Sequence, residues 1–216
     1  FDQSVCPVED ETSMPILERD DFIKPDTNME VLGSLSASFE VIGAMGFDAM
    51  ALSRYPEVAK IEHVHTPGNS SGIVDGASAV LVGSEGAGKD LGLEPRGRVV
   101  GTAVLATDPV IMLTGPAPAA RKCLARAGLD QEDIDLWEIN EAFASVPLHY
   151  MRELNIDHEI TNVNGGAIAM GHPLGATGGC LVSIVLDELE RRALHRAMIS
   201  LCVGGGMGIS TIIERC

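Results

Sequence analysis

Basic side chains are scarce in this chain of 216 residues. Fifteen Lys and Arg stand against 31 Asp and Glu, a formal net charge of −16. No Lys/Arg cluster interrupts the trend, so a phosphate backbone is repelled and nucleic acid is not an expected partner. Long apolar runs are missing too. None approaches the roughly 20 residues that cross a bilayer as a helix, so no membrane span is expected. The five cysteines, Cys6, Cys123, Cys180, Cys202 and Cys216, are odd in number and form no C-x-x-C pair. That spacing argues against a disulfide framework and against a zinc site, so no metal is expected. A reducing compartment follows as the natural reading: cytoplasmic, or an organelle matrix in a eukaryote. What is present is a globular composition, 45% apolar with 24 Gly and 11 Pro, and enough chain to bury a real core.

Residues 1–30 are acidic and punctuated by proline, and read as an extended surface segment. Met29, Leu32, Leu35 and Phe39 recur at helical spacing, and residues 41–63 read as a helix-containing insertion. Ala77–Val82 is a buried strand or a buried helix, since its length alone leaves both open. Arg98–Leu105 and Ile134–Ile139 are expected strands, and Pro116–Ala127 a helix stopped by Gly128. A helix is expected from Asn140 to about Leu154. Another should run from Gly171 to Leu194, with Pro173 in its first turn. Ala197–Val203 and Gly208–Ile213 are strands around the Gly204-Gly205-Gly206 turn. This alternation predicts an α/β layered domain with a mostly parallel sheet and an antiparallel ending.

Several local patterns bear on chemistry. Gly83–Lys89 fits the G-x-x-x-x-G-K phosphate loop, but Asp90 stands where a Ser or Thr is needed for magnesium, and a carboxylate there opposes phosphate. A Gly-rich surface loop is the better reading. Asn69-Ser70-Ser71 matches a glycosylation sequon, a pattern that chance often supplies. Asn162–Gly179 is more informative: six glycines bracket His172-Pro173, so backbone there approaches backbone or ligand closely, or takes positive φ. At the mouth of a helix, His172 should stay neutral near pH 7 and serve as a base or an oxyanion donor. A structural histidine in a tight turn is the competing reading. Cys202 ends an apolar strand just before three glycines, whose amides are free to face an anion; it is either a reactive thiol or an inert buried one. Asn140 stands at the carboxyl end of a strand, where α/β sheets build their sites, or simply caps the next helix.

Three blocks in this order resemble the thiolases: Asn140-Glu141-Ala142-Phe143-Ala144, the Asn164-Gly165-Gly166…Gly171-His172-Pro173…Gly175-Ala176-Thr177-Gly178 loop, and Cys202-Val203-Gly204-Gly205-Gly206-Met207-Gly208. Upstream, Gly68-Asn69-Ser70-Ser71-Gly72-Ile73-Val74-Asp75-Gly76-Ala77 is similar to the family's Gly-Asn-x-Ser-Gly-x-x-Asp-Gly-Ala run. Pro109–Pro116 is similar to its Met-x-x-Gly-Pro substrate segment. The resemblance implies a layered αβαβα fold. Residues 1–63 would be the remainder of a loop domain with an insertion, 64–95 the end of the N-terminal half, and 96–216 the C-terminal half. It also implies cleavage of a 3-oxoacyl-CoA by CoA through an acyl-enzyme thioester, as in fatty-acid β-oxidation, with CoA as substrate and no cofactor.

By that resemblance, His172 would activate the nucleophilic thiol and help hold the thioester oxyanion, and Asn140 would fix a water beside it. Cys202 would protonate the departing carbanion and then deprotonate CoA. The Gly204 amide would donate to the acyl-enzyme oxyanion, a place that needs a residue without a side chain. Met112 and Phe143 would line the acyl pocket, and Gly68, Ser70 and Ser71 would meet the substrate. The family's nucleophilic Cys, in a Cys-Ser/Ala-Ser-Gly-type segment, has no counterpart here. With Phe1 rather than Met at the start, the expectation is a C-terminal portion that is inactive alone and associates with the missing half. A homo-oligomer is expected, and the insertion and the His65–Gly68 run look like the thiolase subunits of trifunctional fatty-acid oxidation complexes, with a hydratase/dehydrogenase subunit as partner. The competing function is a non-catalytic acyl-CoA-binding or scaffold remnant of the same fold.

Overall fold

Alternation along the strands sorts the apolar residues into two sets, and each set has its own helices. The computed structural model describes residues 4–216. Its main sheet has four strands: β3 (Gly97–Ala106), β4 (Leu136–Ile139), β5 (Arg196–Val203) and β6 (Met207–Arg215), in the order β3-β6-β5-β4. Trp137 and Ile139 of β4, with Met198 and Ile212, bury against α5 (Pro116–Ala127) and α6 (Ser145–Leu154). Leu136, Ala197, Ile199 and Ile213 face the other way, onto Leu181, Val185 and Leu189 of α8 (Thr177–Arg191). The period of two in the strands thus produces a three-layer α/β unit.

Local chemistry explains most element ends. Gly128 stops α5 in the left-handed conformation at φ 67°, the role a glycine fills without a Cβ penalty. Close backbone contact fixes the β6 end of the sheet: a Cβ on Gly208 would lie 2.2 Å from the Gly115 carbonyl carbon, and one on Gly115 2.6 Å from the Gly208 nitrogen. Only glycine at both positions lets the start of α5 sit against β6.

Several expectations change. The sheet is not mostly parallel: only β4 and β5 pair parallel, at Leu136↔Ala197 to Ile139↔Ser200, while β5–β6 and β3–β6 are antiparallel. The three-glycine turn folds β6 back beside β5, and β3 then adds to β6's free edge. Ala77–Val82 is neither strand nor helix. It runs without regular structure, with Leu81 82% exposed, because among the described residues no strand supplies its backbone with partners. The expected loop at Gly83–Lys89 is instead largely the short helix α4 (Glu85–Leu91), capped by Ser84, whose Oγ accepts from Ala87 N. Lys89 there is tied to Glu85 at 2.6 Å.

The helix expected from Asn140 begins only at Ser145. The intervening backbone is engaged elsewhere: Asn140 N–H donates to Ser200 O, Ala144 N–H to Asn69 O, and Ala142 O accepts from Ser71 N. Asn140 is therefore no helix cap. The helix expected from Gly171 begins at Thr177, since Gly171 adopts φ 93° and Pro173 opens a turn whose carbonyl accepts from Ala176 N. A four-residue helix, α7 (Ala167–Met170), precedes it.

Residues 1–30 hold a small exposed hairpin, β1 (Val8–Glu9) with β2 (Pro15–Leu17); residues 1–3 lie outside the described residues. The helix near Met29 spans only α1 (Met29–Gly33), short of Leu35 and Phe39. The insertion is helical as expected, through α2 (Glu40–Ile42), a π-turn at Gly43–Phe47 and α3 (Asp48–Arg54).

Candidate active site

Three loops gather at the carboxyl ends of the parallel pair β4/β5, where α/β sheets gather their ligands. The first is Asn140–Ala144 after β4. The second is the glycine-rich stretch 162–176, and the third is the Gly204–Gly206 turn after β5. Residues 69–73 lie across the first two. Ser71 N donates to Ala142 O at 3.0 Å, and His172 N donates to Gly72 O at 2.8 Å.

His172 is held at both ring nitrogens. Its Nδ1 lies 2.6 Å from Thr177 Oγ1 and its Nε2 3.4 Å from Asn140 Nδ2. Because an amide N–H can only donate, Nε2 is the acceptor, and the ring proton sits on Nδ1 and goes to the threonine. Burial lowers the imidazole pKa below its ordinary value, so the ring is neutral at pH 7. The expected charge state stands, but its cause differs: four residues separate His172 from the first residue of α8, and burial, not the helix end, depresses the value. Asn140 is 1% exposed, and its Oδ1 has no partner among the described residues.

Glu141 braces the glycine loop. Its Oε1 accepts from Asn162 Nδ2 at 2.9 Å, and its Oε2 from Ile168 N at 3.2 Å. Asn162 in turn closes two hydrogen bonds on the Ile139 backbone, extending β4 by a side chain. A Cβ on Gly166 would displace the Glu141 carboxylate that braces the loop, and one on Gly171, whose φ is 93°, would meet Val74 at 2.6 Å. On the far side, Asn164 Nδ2 donates to Glu188 Oε2 at 3.1 Å, while Arg191 and Arg192 pair with the same carboxylate. Hydrogen bonding, from Arg191 first, pulls the Glu188 pKa down to about 2.

Cys202 lies on β5 two residues past Ser200, the residue that takes the Asn140 N–H. It packs, like Phe143 and Leu113, against the core under α5 and α6. Burial raises its thiol pKa, so at neutral pH it is an S–H rather than a thiolate. Gly204 follows on the exposed turn, and a Cβ there would meet nothing within 4 Å. Packing within the chain does not require glycine at 204, and the open space there is compatible with an amide facing a bound oxyanion.

The remaining predicted residues divide. Gly68 is spent on packing, since its Cβ would strike Leu32 and Leu35. The Ser71 hydroxyl is bound to Ala142 O, while the buried Ser70 Oγ has no partner among the described residues. Met112 sits in the left-handed region at φ 61°, half-buried, with its N–H on Asp108 O. A non-glycine residue held there is strained. The sequon Asn69 is internally bound, accepting from Thr66 N and donating to Val64 O.

Sequence reasoning missed Thr177, Glu141, Asn162 and Glu138. Glu138, on β4, is 4% exposed; its Oε1 has no partner among the described residues, and burial, helped by Glu141 and Glu188, pushes its pKa up to about 8. No cluster of three or more His, Cys, Asp or Glu able to hold a metal occurs among the described residues, and none of their helices is long and apolar enough to cross a membrane.

Comparison with known proteins agrees with this geometry. The family model described as "Thiolase, C-terminal domain" matches residues 93–215. The chain is 41% identical over 216 residues to a mitochondrial 3-ketoacyl-CoA thiolase of Bos taurus, covering 99% of this chain and 49% of that protein. It is 47% identical over 167 residues to an acetyl-CoA acetyltransferase of Shinella zoogloeoides, covering 77% and 42%. Among solved structures, a Bacillus anthracis acetyl-CoA acetyltransferase matches with a TM-score of 0.85 at 37% identity, covering 100% of this chain and 50% of that one. The human mitochondrial 3-ketoacyl-CoA thiolase in complex with CoA matches at 0.79 and 37% identity, covering 97% and 48%. The chain spans about half the length of the relatives it matches. Together with the Asn140–His172 pair and the glycine turn after Cys202, these matches establish that this chain belongs to the thiolase family.

Proposed function

We propose that this chain carries the acid/base and oxyanion groups of a thiolase, which cleaves a 3-oxoacyl-CoA with CoA to acetyl-CoA and a shortened acyl-CoA. The observation that carries the reading is the buried Asn140–His172 contact, with the other ring nitrogen pinned by Thr177. A neutral ring with an unprotonated Nε2 is ready to take a proton from a thiol. The nucleophilic thiol comes from outside residues 1–216, since none of the five cysteines stands in a Cys-Ser/Ala-Ser-Gly segment.

In this reading the nucleophile gives its proton to His172 Nε2 and its sulfur attacks the 3-oxo carbon. Nε2–H then donates to the oxyanion, with a water held at the free Asn140 Oδ1. As the C2–C3 bond breaks, the Cys202 S–H protonates C2 and acetyl-CoA leaves; the raised thiol pKa supports this acid role. The resulting Cys202 thiolate takes the proton of an incoming CoA thiol, which attacks the thioester while the Gly204 N–H faces its oxyanion. The nucleophile departs and regains the proton from His172. Electrons and protons balance over the cycle.

Residues 96–216 are read as the C-terminal half, 64–95 as the end of the preceding half and 1–63 as loop domain. The degradative direction in β-oxidation, a homo-oligomer and a hydratase/dehydrogenase partner subunit belong to the same reading. In the complete enzyme, CoA-dependent loss of acetoacetyl-CoA is the assay, and Cys202→Ala or His172→Ala should abolish it. Turnover that survives His172→Ala would overturn the assignment. Tight CoA binding with no turnover in the complete parent protein would favour a binding remnant.

A further inference from the structure

Strand β4 buries a carboxyl group for which the reaction has no use. Trp137 and Ile139 face α5 and α6, and Leu136 faces α8, so alternation turns Glu138 to the α8 side as well. Glu138 is 4% exposed, and its Oε1 has no partner among the described residues. Two other carboxyl groups act on it, Glu141 from the loop after β4 and Glu188 from α8. Those two carry the glycine-rich stretch. Asn162 Nδ2 and the Ile168 N–H donate to Glu141, and Asn164 Nδ2 donates to Glu188. The side-chain amides of the stretch are thus spent on the neighbours of Glu138.

Among the described residues no positive charge offsets this crowding at Glu138. Arg191 and Arg192 pair with Glu188. From β5, Ile199 stands in register with Glu138, and the inner face of α8 presents Leu181, Val185 and Leu189. Burial first, then Glu141 and Glu188, raise the Glu138 pKa to about 8. A buried carboxylate without donors is costly, so Glu138 holds its proton at pH 7. Loss of that proton to solvent would set a third negative charge beside Glu141 and Glu188. Like charges repel most strongly where water is excluded.

We propose that Glu138 is a positioning residue that works as a neutral acid: its proton keeps the two bracing carboxylates in place beneath the glycine-rich stretch, and its loss displaces Glu141 and slows turnover. The route to the reaction is short. Glu141 holds the Ile168 N–H, and Ile168 lies four residues before His172. A loosened brace moves the imidazole off Asn140. This inference rests on the thiolase reading above and adds a pH control to its site.

The test is kcat for thiolysis of acetoacetyl-CoA by the complete enzyme, at saturating CoA, at pH 7 and pH 9. Glu138→Gln is the isostere of the protonated acid and cannot ionise. The pH 9 to pH 7 ratio of kcat should be about tenfold lower in the parent than in this variant, because one unit above a pKa of about 8 only about a tenth of the acid keeps its proton. A merely structural glutamate would change the rate at both pH values alike, so equal ratios in an active enzyme overturn this proposal alone. If Glu138→Gln fails to fold, Glu138→Met replaces it, with the same difference in ratio expected. Infrared difference spectra of parent against variant give a readout independent of turnover. A protonated-carboxyl band should be present at pH 7 and gone by pH 9, and its absence at pH 7 also overturns this proposal alone. A parent with no turnover at either pH overturns the thiolase reading and this proposal with it.

Discussion

At the scale of single residues, the site depends on how protons are placed. Thr177 Oγ1 accepts a hydrogen bond from the Nδ1–H of His172 and so leaves Nε2 free to act as base. Thr177→Val keeps the volume and removes the acceptor. In the complete enzyme it should lower kcat by about tenfold while KM stays close to the parent value, since orientation and tautomer change but binding does not. Steady-state kinetics with acetoacetyl-CoA check this. Glu138 permits a test with a defined sign. Its pKa is raised from 4.5 to about 8 in the folded chain. Its contribution to stability is therefore fully present below the unfolded value and is lost as pH rises through the folded one. Glu138→Gln cannot ionise. Relative to that variant, the parent should lose stability between pH 5 and pH 8, by up to roughly 3–4 kcal/mol at about 1.4 kcal/mol per pKa unit, since part of the shift is already spent at pH 5 and part remains at pH 8. Urea unfolding of both proteins at the two pH values measures it, and a difference independent of pH would contradict the burial argument.

At the scale of elements, backbone contacts decide which loops reach the site. The Gly115–Gly208 approach locks the N-terminus of α5 onto β6, beside the turn that follows Cys202. Gly208→Ala would push a methyl into the Gly115 carbonyl, where neither backbone can yield. A loss of about 1–3 kcal/mol is expected, the range for overpacking, measurable by thermal unfolding. Gly171→Ala combines a φ of 93° with a clash on Val74. It should cost stability and also move His172, so its activity loss should exceed that of Gly208→Ala.

At the scale of the whole molecule, apolar surface is left uncovered. Val80, Leu81 and Val82 are exposed on an unpaired segment, and β3, an edge of the sheet, carries exposed Val99 and Val104. An unprotected edge and an apolar run of this kind recruit other chains. Residues 1–216 produced alone are expected to associate, to bind a hydrophobic dye and to show no thiolysis. Sedimentation as a monodisperse monomer at micromolar concentration would contradict this.

Much of this was legible before any coordinates. Pro116–Ala127 with Gly128 as stop, the β5 and β6 strands and the α/β class follow from period, β-branching and turn residues, all of which act over a few positions. The candidate site loops were legible for the same reason: glycines crowd around His172 and after Cys202 because the backbone there needs positive φ or close approach, and that demand is written into residue type. Tertiary structure alone decided the rest. Asn140 became a buried partner of His172 rather than a helix cap because residues 69–71 and Ser200 engage the backbone from Asn140 to Ala144. Thr177, Glu141 and Glu138 gained their roles from neighbours 3 to 50 positions away, and the sheet became mainly antiparallel because β3 joined the edge of β6. Ala77–Val82 has the composition of a strand, but among the described residues no strand pairs with it. Local preference and φ belong to the chain itself, but hydrogen-bond partners, burial and the pKa values that follow from them exist only once distant segments meet.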